Sequence, residues 1–169
     1  PIRRAHKEHP LSAVQMEYSL MSRSIEREVL GTARELGLAV TAYGVLSRGL
    51  IGGQVSLEGK DNIRHRMPRF APENLARNQR LVDALARIGA ARGATPAQIA
   101  LAWVRSRGDD IFPLIGTRSK AHLAEAVAAC DIRLESDEIA TIEKAVPAEA
   151  VAGERYPPAL MAELDSEGP

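Results

Sequence analysis

The sequence predicts an α/β chain built on parallel strands, and three observations carry that prediction. Short apolar or alternating runs recur at 13–18, 39–43 and 110–115. Each is followed by residues whose apolar positions fall at helical spacing. The first strand, its helix and the second strand are joined by short connections, as in a parallel βαβ unit. Three parallel strands do not close a barrel, and so small a sheet leaves unpaired edges, so the architecture reads as incomplete.

The elements follow in order. The chain opens at Pro1, without methionine, on a polar, helix-compatible stretch from Ile2 to His9 that Pro10 stops. Such a start is expected where a longer protein has been cut. Ala13 to Tyr18 alternates apolar and polar residues, with strand-forming Val14 and Tyr18. Polar Gln15 on what reads as a buried strand needs a partner, either a ligand amide or a backbone group. From Arg27 to Leu36 the apolar residues fall at 29, 30, 33 and 36, and Gly37 supplies a left-handed C-cap. Ala39 to Tyr43 reads as a buried strand.

Residues 44–72 break the rhythm with Gly44, Gly49, Gly52, Gly53 and Gly59, then Pro68 and Pro72. So long an irregular stretch is functional or disordered. Helical spacing returns over 74–92, with Leu75, Leu81, Val82, Leu85 and Ile88 on one face. Thr95 as N-cap and Pro96 at the first position start a helix over 96–107, where Trp103 reads as core. Pro113 argues against a central place for the third strand. A helix from Gly116–Ser119 to about Cys130 follows, with Cys130 expected inside it and buried, and Glu135 begins a last one ending near Ala145. No repeat divides residues 1–169, which read as one domain.

Composition excludes several classes. Of 169 residues, 22 are basic and 22 acidic, so the basic excess expected of a nucleic-acid or anionic-membrane binder is missing. The single cysteine rules out an intrachain disulfide and suits a reducing, cytoplasmic setting. No apolar run approaches the roughly 18 residues of a membrane span. The four histidines lack the spacing of a metal site. The charged strip from Asn62 to Arg66 is expected to be solvated loop.

Two segments hold most of the chemistry. Gly116-Thr117-Arg118-Ser119-Lys120 stands where a strand turns into a helix. A helix start offers unpaired amides and the positive end of the helix dipole, and the hydroxyls and cations add donors. The segment reads as a phosphate site or as a capped helix with a solvated basic turn. Tyr43 ends a strand at the edge where parallel sheets bind ligands, and a glycine-bearing loop follows, so it is an aromatic platform or a core tyrosine.

Taken together, "HPLSAVQMEYSLMSR", "AYGVLSRGLIGG", "MPRF", "ATPAQIALAWV", "PLIGTRSKAHLAE" and "AGERY" resemble the aldo-keto reductase family along nearly the whole chain. The resemblance implies a (β/α)₈ barrel of which this chain is the C-terminal portion, strands six to eight, with 44–72 as a long cofactor-side loop. It implies NADP(H) as cofactor. Gln15 would hold the nicotinamide carboxamide and Tyr43 would stack on its ring. Gly44, Leu46, Ser47 and Arg48 would wrap the pyrophosphate. Gly116, Thr117, Arg118 and Ser119 would take the 2′-phosphate, with His122 and Glu125 beside the adenosine. Gly44-Val45 stands where the family usually has Ser-Pro, Ser47 where it has glycine, Ile115 where proline is common and Ala126 where it usually has asparagine. The family's catalytic Asp, Tyr, Lys and His lie on earlier strands, so no position here inherits them. The expected function is reduction of a small-molecule aldehyde or ketone in the parent protein. The isolated chain is expected to be inactive and to require the missing N-terminal half of the barrel or a second copy. A non-catalytic half-barrel that binds nucleotide or self-associates is the alternative.

Overall fold

The structure, a computed structural model, describes residues 1–52 and 55–164; Gly53 of the glycine-bearing loop lies outside the described residues. Helix α1 (Ile2–Glu8) leads into β1 (Ala13–Glu17), α2 (Val29–Glu35) and β2 (Ala39–Tyr43). Four short 3₁₀ turns punctuate the chain up to residue 70, three of them in the stretch after β2. Then come α3 (Pro72–Ala91), α4 (Pro96–Ser106), β3 (Ile111–Pro113), α5 (Lys120–Ala128), α6 (Ser136–Ala145) and α7 (Pro158–Met161).

The strands form one parallel sheet in the order β1-β2-β3. Gln15 sits opposite Thr41 and Glu17 opposite Tyr43, while Thr41 pairs with Phe112. β3 pairs only with β2 among the described residues, which leaves Pro113 on an edge strand, as its missing N–H requires. Gly37 takes φ +66, the left-handed C-cap that its place after α2 demands. Thr95 caps α4 through a reciprocal pair: its hydroxyl accepts from the Gln98 amide at 3.2 Å, and the Gln98 side chain accepts from the Thr95 amide at 3.0 Å.

Strand alternation divides the sheet into two unlike faces. Val40, Ala42 and Ile111 are buried in a core with Leu30 and Ala33 of α2 and Ile99, Trp103 and Val104 of α4. At its centre Trp103 and Tyr18 pack with ring centroids 5.4 Å apart, both 0% exposed. On the opposite face Ala13 and Gln15 are exposed, as are Phe112 (54%) and Leu114 (42%). Parallel sheets are ordinarily covered on both faces; this one carries helices on one.

Two expectations need correction here. Gln15 does not lie on a buried strand, because β1 is an outer strand whose odd-numbered start faces the open side. Cys130 is exposed rather than buried: α5 ends at Ala128 and Cys130 follows in a 3₁₀ turn, where its neighbour Ala129 takes the interior position.

A candidate cofactor groove at the carboxyl ends of the strands

The loop after β2 is folded tightly. Gly44 turns the chain at φ +67, and a Cβ there would lie 3.1 Å from Cγ of Glu17. The Ser47 amide donates to the Gly44 carbonyl at 2.7 Å, and the Gly49 amide to that of Leu46 at 2.9 Å. Ser47 (φ 48) and Arg48 (φ 57) then both adopt the left-handed region without being glycine. Such residues cost about 1–3 kcal/mol each and persist where their surroundings hold them. Arg64 supplies that hold, donating through Nε at 2.8 Å and Nη2 at 2.6 Å to the Arg48 carbonyl. Its guanidinium also lies over the Phe70 ring. The strip from Asn62 to Arg66 is therefore not simply solvated loop. The Ser47 hydroxyl faces inward, 3.2 Å from that of Ser19.

The segment after β3 is arranged differently. The Thr117 hydroxyl accepts from the Ser119 amide at 3.1 Å, and the Ser119 hydroxyl caps α5 by accepting from the His122 amide at 3.4 Å. Gly116, Thr117, Arg118 and Lys120 are exposed. Glu125 is tied to α4: its carboxylate accepts from the Thr95 hydroxyl and its carbonyl from the Gln98 side chain.

These two segments face each other. A groove of about 410 Å³ runs between them, lined by Gly44, Leu46, Arg48, Arg64, Gly116 and His122. An adjoining pocket of about 90 Å³ adds Thr117, Glu125 and Ala126. The amides of Val45, Leu46, Gly116, Thr117 and Arg118 donate to no acceptor among the described residues. Unspent amides, a helix start and two arginines, Arg48 and Arg64, make the groove receptive to anions. Of the residues singled out from sequence, Gly44, Leu46, Arg48, Gly116, Thr117, His122 and Glu125 line this region. Ser47 and Ser119 spend their hydroxyls on the fold, and Arg118 stands exposed at the helix start. Gln15 and Tyr43 share the open sheet face, two register positions apart along the strands.

The tail was not anticipated as part of this region. Arg155 (6% exposed) donates to Glu17 (3% exposed) at 3.2 Å, linking positions 138 apart in sequence. Ser22 donates to the same carboxylate at 3.0 Å and accepts from Arg69 at 2.9 Å. Asn78, fully buried on α3, bonds both the amide (2.8 Å) and the carbonyl (2.9 Å) of Ala152. A polar residue within the apolar face of that helix was the one local sign of this attachment. The tail thus brings Tyr156 to Tyr43, with their hydroxyls 3.4 Å apart. Burial, then the Tyr156 hydrogen bond, pushes the Tyr43 phenol up to about 12, so it is neutral at physiological pH. Burial and the bond to Glu26 likewise raise the Tyr18 phenol.

Among the described residues no group of three or more His, Cys, Asp or Glu side chains could hold a metal ion. No described helix is long and apolar enough to cross a membrane.

The class that emerges is an α/β chain with a parallel sheet and an anion-receptive groove at the strand ends. Residues 1–147 match the model of the Aldo/keto reductase family, and the chain belongs to that family. It is 40% identical over 157 residues to "Probable aldo-keto reductase 1" of Glycine max, covering 92% of this chain and 45% of that protein. An aldo-keto reductase from Klebsiella pneumoniae, solved in complex with NADPH, is 27% identical with a TM-score of 0.60, covering 86% of this chain and 43% of that one. Glycerol dehydrogenase from Gluconobacter oxydans shares the fold with a TM-score of 0.81 at 24% identity, covering 90% and 47%. The chain thus spans less than half the length of each of these relatives.

Proposed function

We propose that this chain is the C-terminal portion, strands six to eight, of a (β/α)₈-barrel aldo-keto reductase, and that it supplies the cofactor-binding side of an NADP(H) site. The observation that carries the reading is the groove in which Leu46, Arg48, Gly116 and His122 converge, with the amides of Val45, Leu46 and Gly116 donating to no acceptor among the described residues. These residues fit a pyridine dinucleotide phosphate. Gly44, Leu46, Ser47 and Arg48 would wrap the pyrophosphate, and Gly116, Thr117, Arg118 and Ser119 would take the 2′-phosphate, with Ser119 fixing the helix start through its cap. Tyr43 would give the nicotinamide an aromatic face, Gln15 would hold its carboxamide, and His122 and Glu125 would border the adenosine. The Klebsiella pneumoniae aldo-keto reductase that resembles this chain was solved in complex with NADPH, which supports the same cofactor.

When bound, the reduced nucleotide supplies a hydride to the carbonyl carbon of an aldehyde or ketone, giving an alcohol in the whole reductase. This chain's own part is to bind and orient. Tyr43 keeps the stacking role, with its hydroxyl engaged by Tyr156, so in this reading the proton donor lies elsewhere. That role and its supporting Asp, Lys and His fall to the preceding part of the barrel, and the chain alone is inactive in carbonyl reduction. Its partner is that N-terminal half, or a second copy of the chain, seated on the open sheet face. The uncovered Phe112 and Leu114 support this need for a partner. A cytoplasmic setting accords with the lone thiol.

Calorimetric titration with NADPH tests the cofactor reading: saturable one-site binding is expected, and no heat beyond dilution would overturn it. Steady NADPH oxidation by the purified 169-residue chain with a carbonyl substrate would overturn the inactivity claim. Mixing in a separately produced N-terminal half is expected to restore turnover.

A further inference from the structure

We infer that Tyr156, anchored by the buried Glu17–Arg155 pair, is a positioning residue for the nicotinamide end of the groove, acting on Tyr43 through its hydroxyl and on Arg48 through its ring. The inference rests on the cofactor reading above and adds to it a residue from the tail.

The geometry runs from strand to tail and back. Glu17 ends β1 and sits opposite Tyr43 in the register, with its Cγ packed under Gly44. Its carboxylate holds Arg155 at 3.2 Å in a site where both side chains are nearly sealed from solvent. A buried pair is costly to break, since either partner alone would be an uncompensated charge. Arg155 is adjacent to Tyr156 in sequence, and its guanidinium lies 5.3 Å from that ring. The Tyr156 hydroxyl then reaches the Tyr43 hydroxyl at 3.4 Å, and the Arg48 guanidinium stands 5.0 Å from the same ring.

Tyr156 therefore touches two candidate cofactor residues at once, one aromatic and one cationic. A phenol held at its hydroxyl end loses freedom to tilt, which keeps its face presented at one angle. An arginine resting on an aromatic face keeps its charge at the groove without being drawn into a closed ion pair. Among the described residues Arg48 makes no salt bridge. The anchoring lies outside the groove, in Glu17, Ser22, Arg69 and Asn78, so the tail sets the position and the groove lining uses it.

The test separates the two ends of the cofactor. Calorimetry would compare NADP⁺ with 2′,5′-ADP, which has the 2′-phosphate but no nicotinamide, on the unaltered chain, Tyr156→Phe and Tyr156→Leu. Losing the ring in Tyr156→Leu is expected to weaken NADP⁺ about fivefold, the size of one lost aromatic contact, and to leave 2′,5′-ADP within about twofold. Tyr156→Phe keeps the ring, so it is expected to lose less affinity than Tyr156→Leu. With carbon-13 at the tyrosine hydroxyl-bearing carbons, Tyr156→Phe is expected to shift the Tyr43 resonance and leave that of Tyr18, bonded to Glu26, in place. Equal losses for both nucleotides in Tyr156→Leu, or an unmoved Tyr43 resonance in the well-folded Tyr156→Phe, would overturn the inference while leaving the cofactor reading intact. Failure of the unaltered chain to bind either nucleotide would overturn both.

Discussion

Arg118 carries the clearest expectation for a single side chain. It is exposed at the start of α5 and makes no salt bridge among the described residues, so its guanidinium is available to an incoming phosphate. Arginine binds such groups through two parallel hydrogen bonds, and bonds to charged partners are the stronger class. Arg118→Ala is expected to weaken NADPH about 10- to 100-fold, equivalent to roughly 1.5–3 kcal/mol, and to leave NADH nearly unchanged. Paired calorimetric titrations check this; an equal loss for both nucleotides would place Arg118 elsewhere. Ser47 shows the opposite economy. It stands where the family usually has glycine and holds a left-handed backbone, yet its hydroxyl is turned inward to Ser19. Its contribution to the groove runs through the backbone that it bends.

Between elements, ion pairs join parts of the chain that no local pattern connects, and two of them carry predictions. Arg34 of α2 grips Asp110 at the entry to β3 with Nε at 2.9 Å and Nη2 at 3.2 Å, and reaches the Arg107 carbonyl at 2.6 Å. The hydrogen bond from Arg34 holds the Asp110 carboxyl below its ordinary value. A depressed carboxylate contributes stability above the unfolded value of about 4, and that contribution is lost as pH falls through the folded value. Urea unfolding at pH 7 and pH 3 is therefore expected to show a smaller acid loss in Asp110→Asn than in the unaltered chain. The Glu17–Arg155 pair is buried, so Arg155→Met is expected to cost about 3–5 kcal/mol by leaving a carboxylate stranded. The double change with Glu17→Gln should recover part of that, read from the same urea curves. The local elements were legible: Thr95-Pro96 with Gln98, Gly37 and the alternation of β1 are short-range signals that survive any tertiary context. Arg64 on the Arg48 carbonyl and Arg155 on Glu17 were not, because a charged side chain in sequence looks the same whether it meets water or a distant backbone. Cys130 was misplaced for a related reason: two residues past the end of a helix, burial depends on which way the next turn goes.

At the scale of the molecule, the sheet is covered on one face only among the described residues. Its helical side holds a continuous core, and its other side leaves Phe112 and Leu114 more than 40% exposed beside Gln15 and Ala13. Apolar surface of that kind on a parallel sheet favours association. Light scattering of the purified chain is expected to show concentration-dependent growth in mass, reduced by the pair Phe112→Lys and Leu114→Lys; a monomer at all concentrations would refute this. The core itself offers another consequence. Trp103 is the single tryptophan, fully buried, with Arg23 and Arg107 over its ring, Tyr18 5.4 Å away and its indole N–H bound to Glu143 at 3.1 Å. Its emission therefore samples one electrostatically crowded site in the interior. Intrinsic fluorescence should follow the melting of this core as a single optical probe, since Trp103 lines neither the groove nor the pocket beside it.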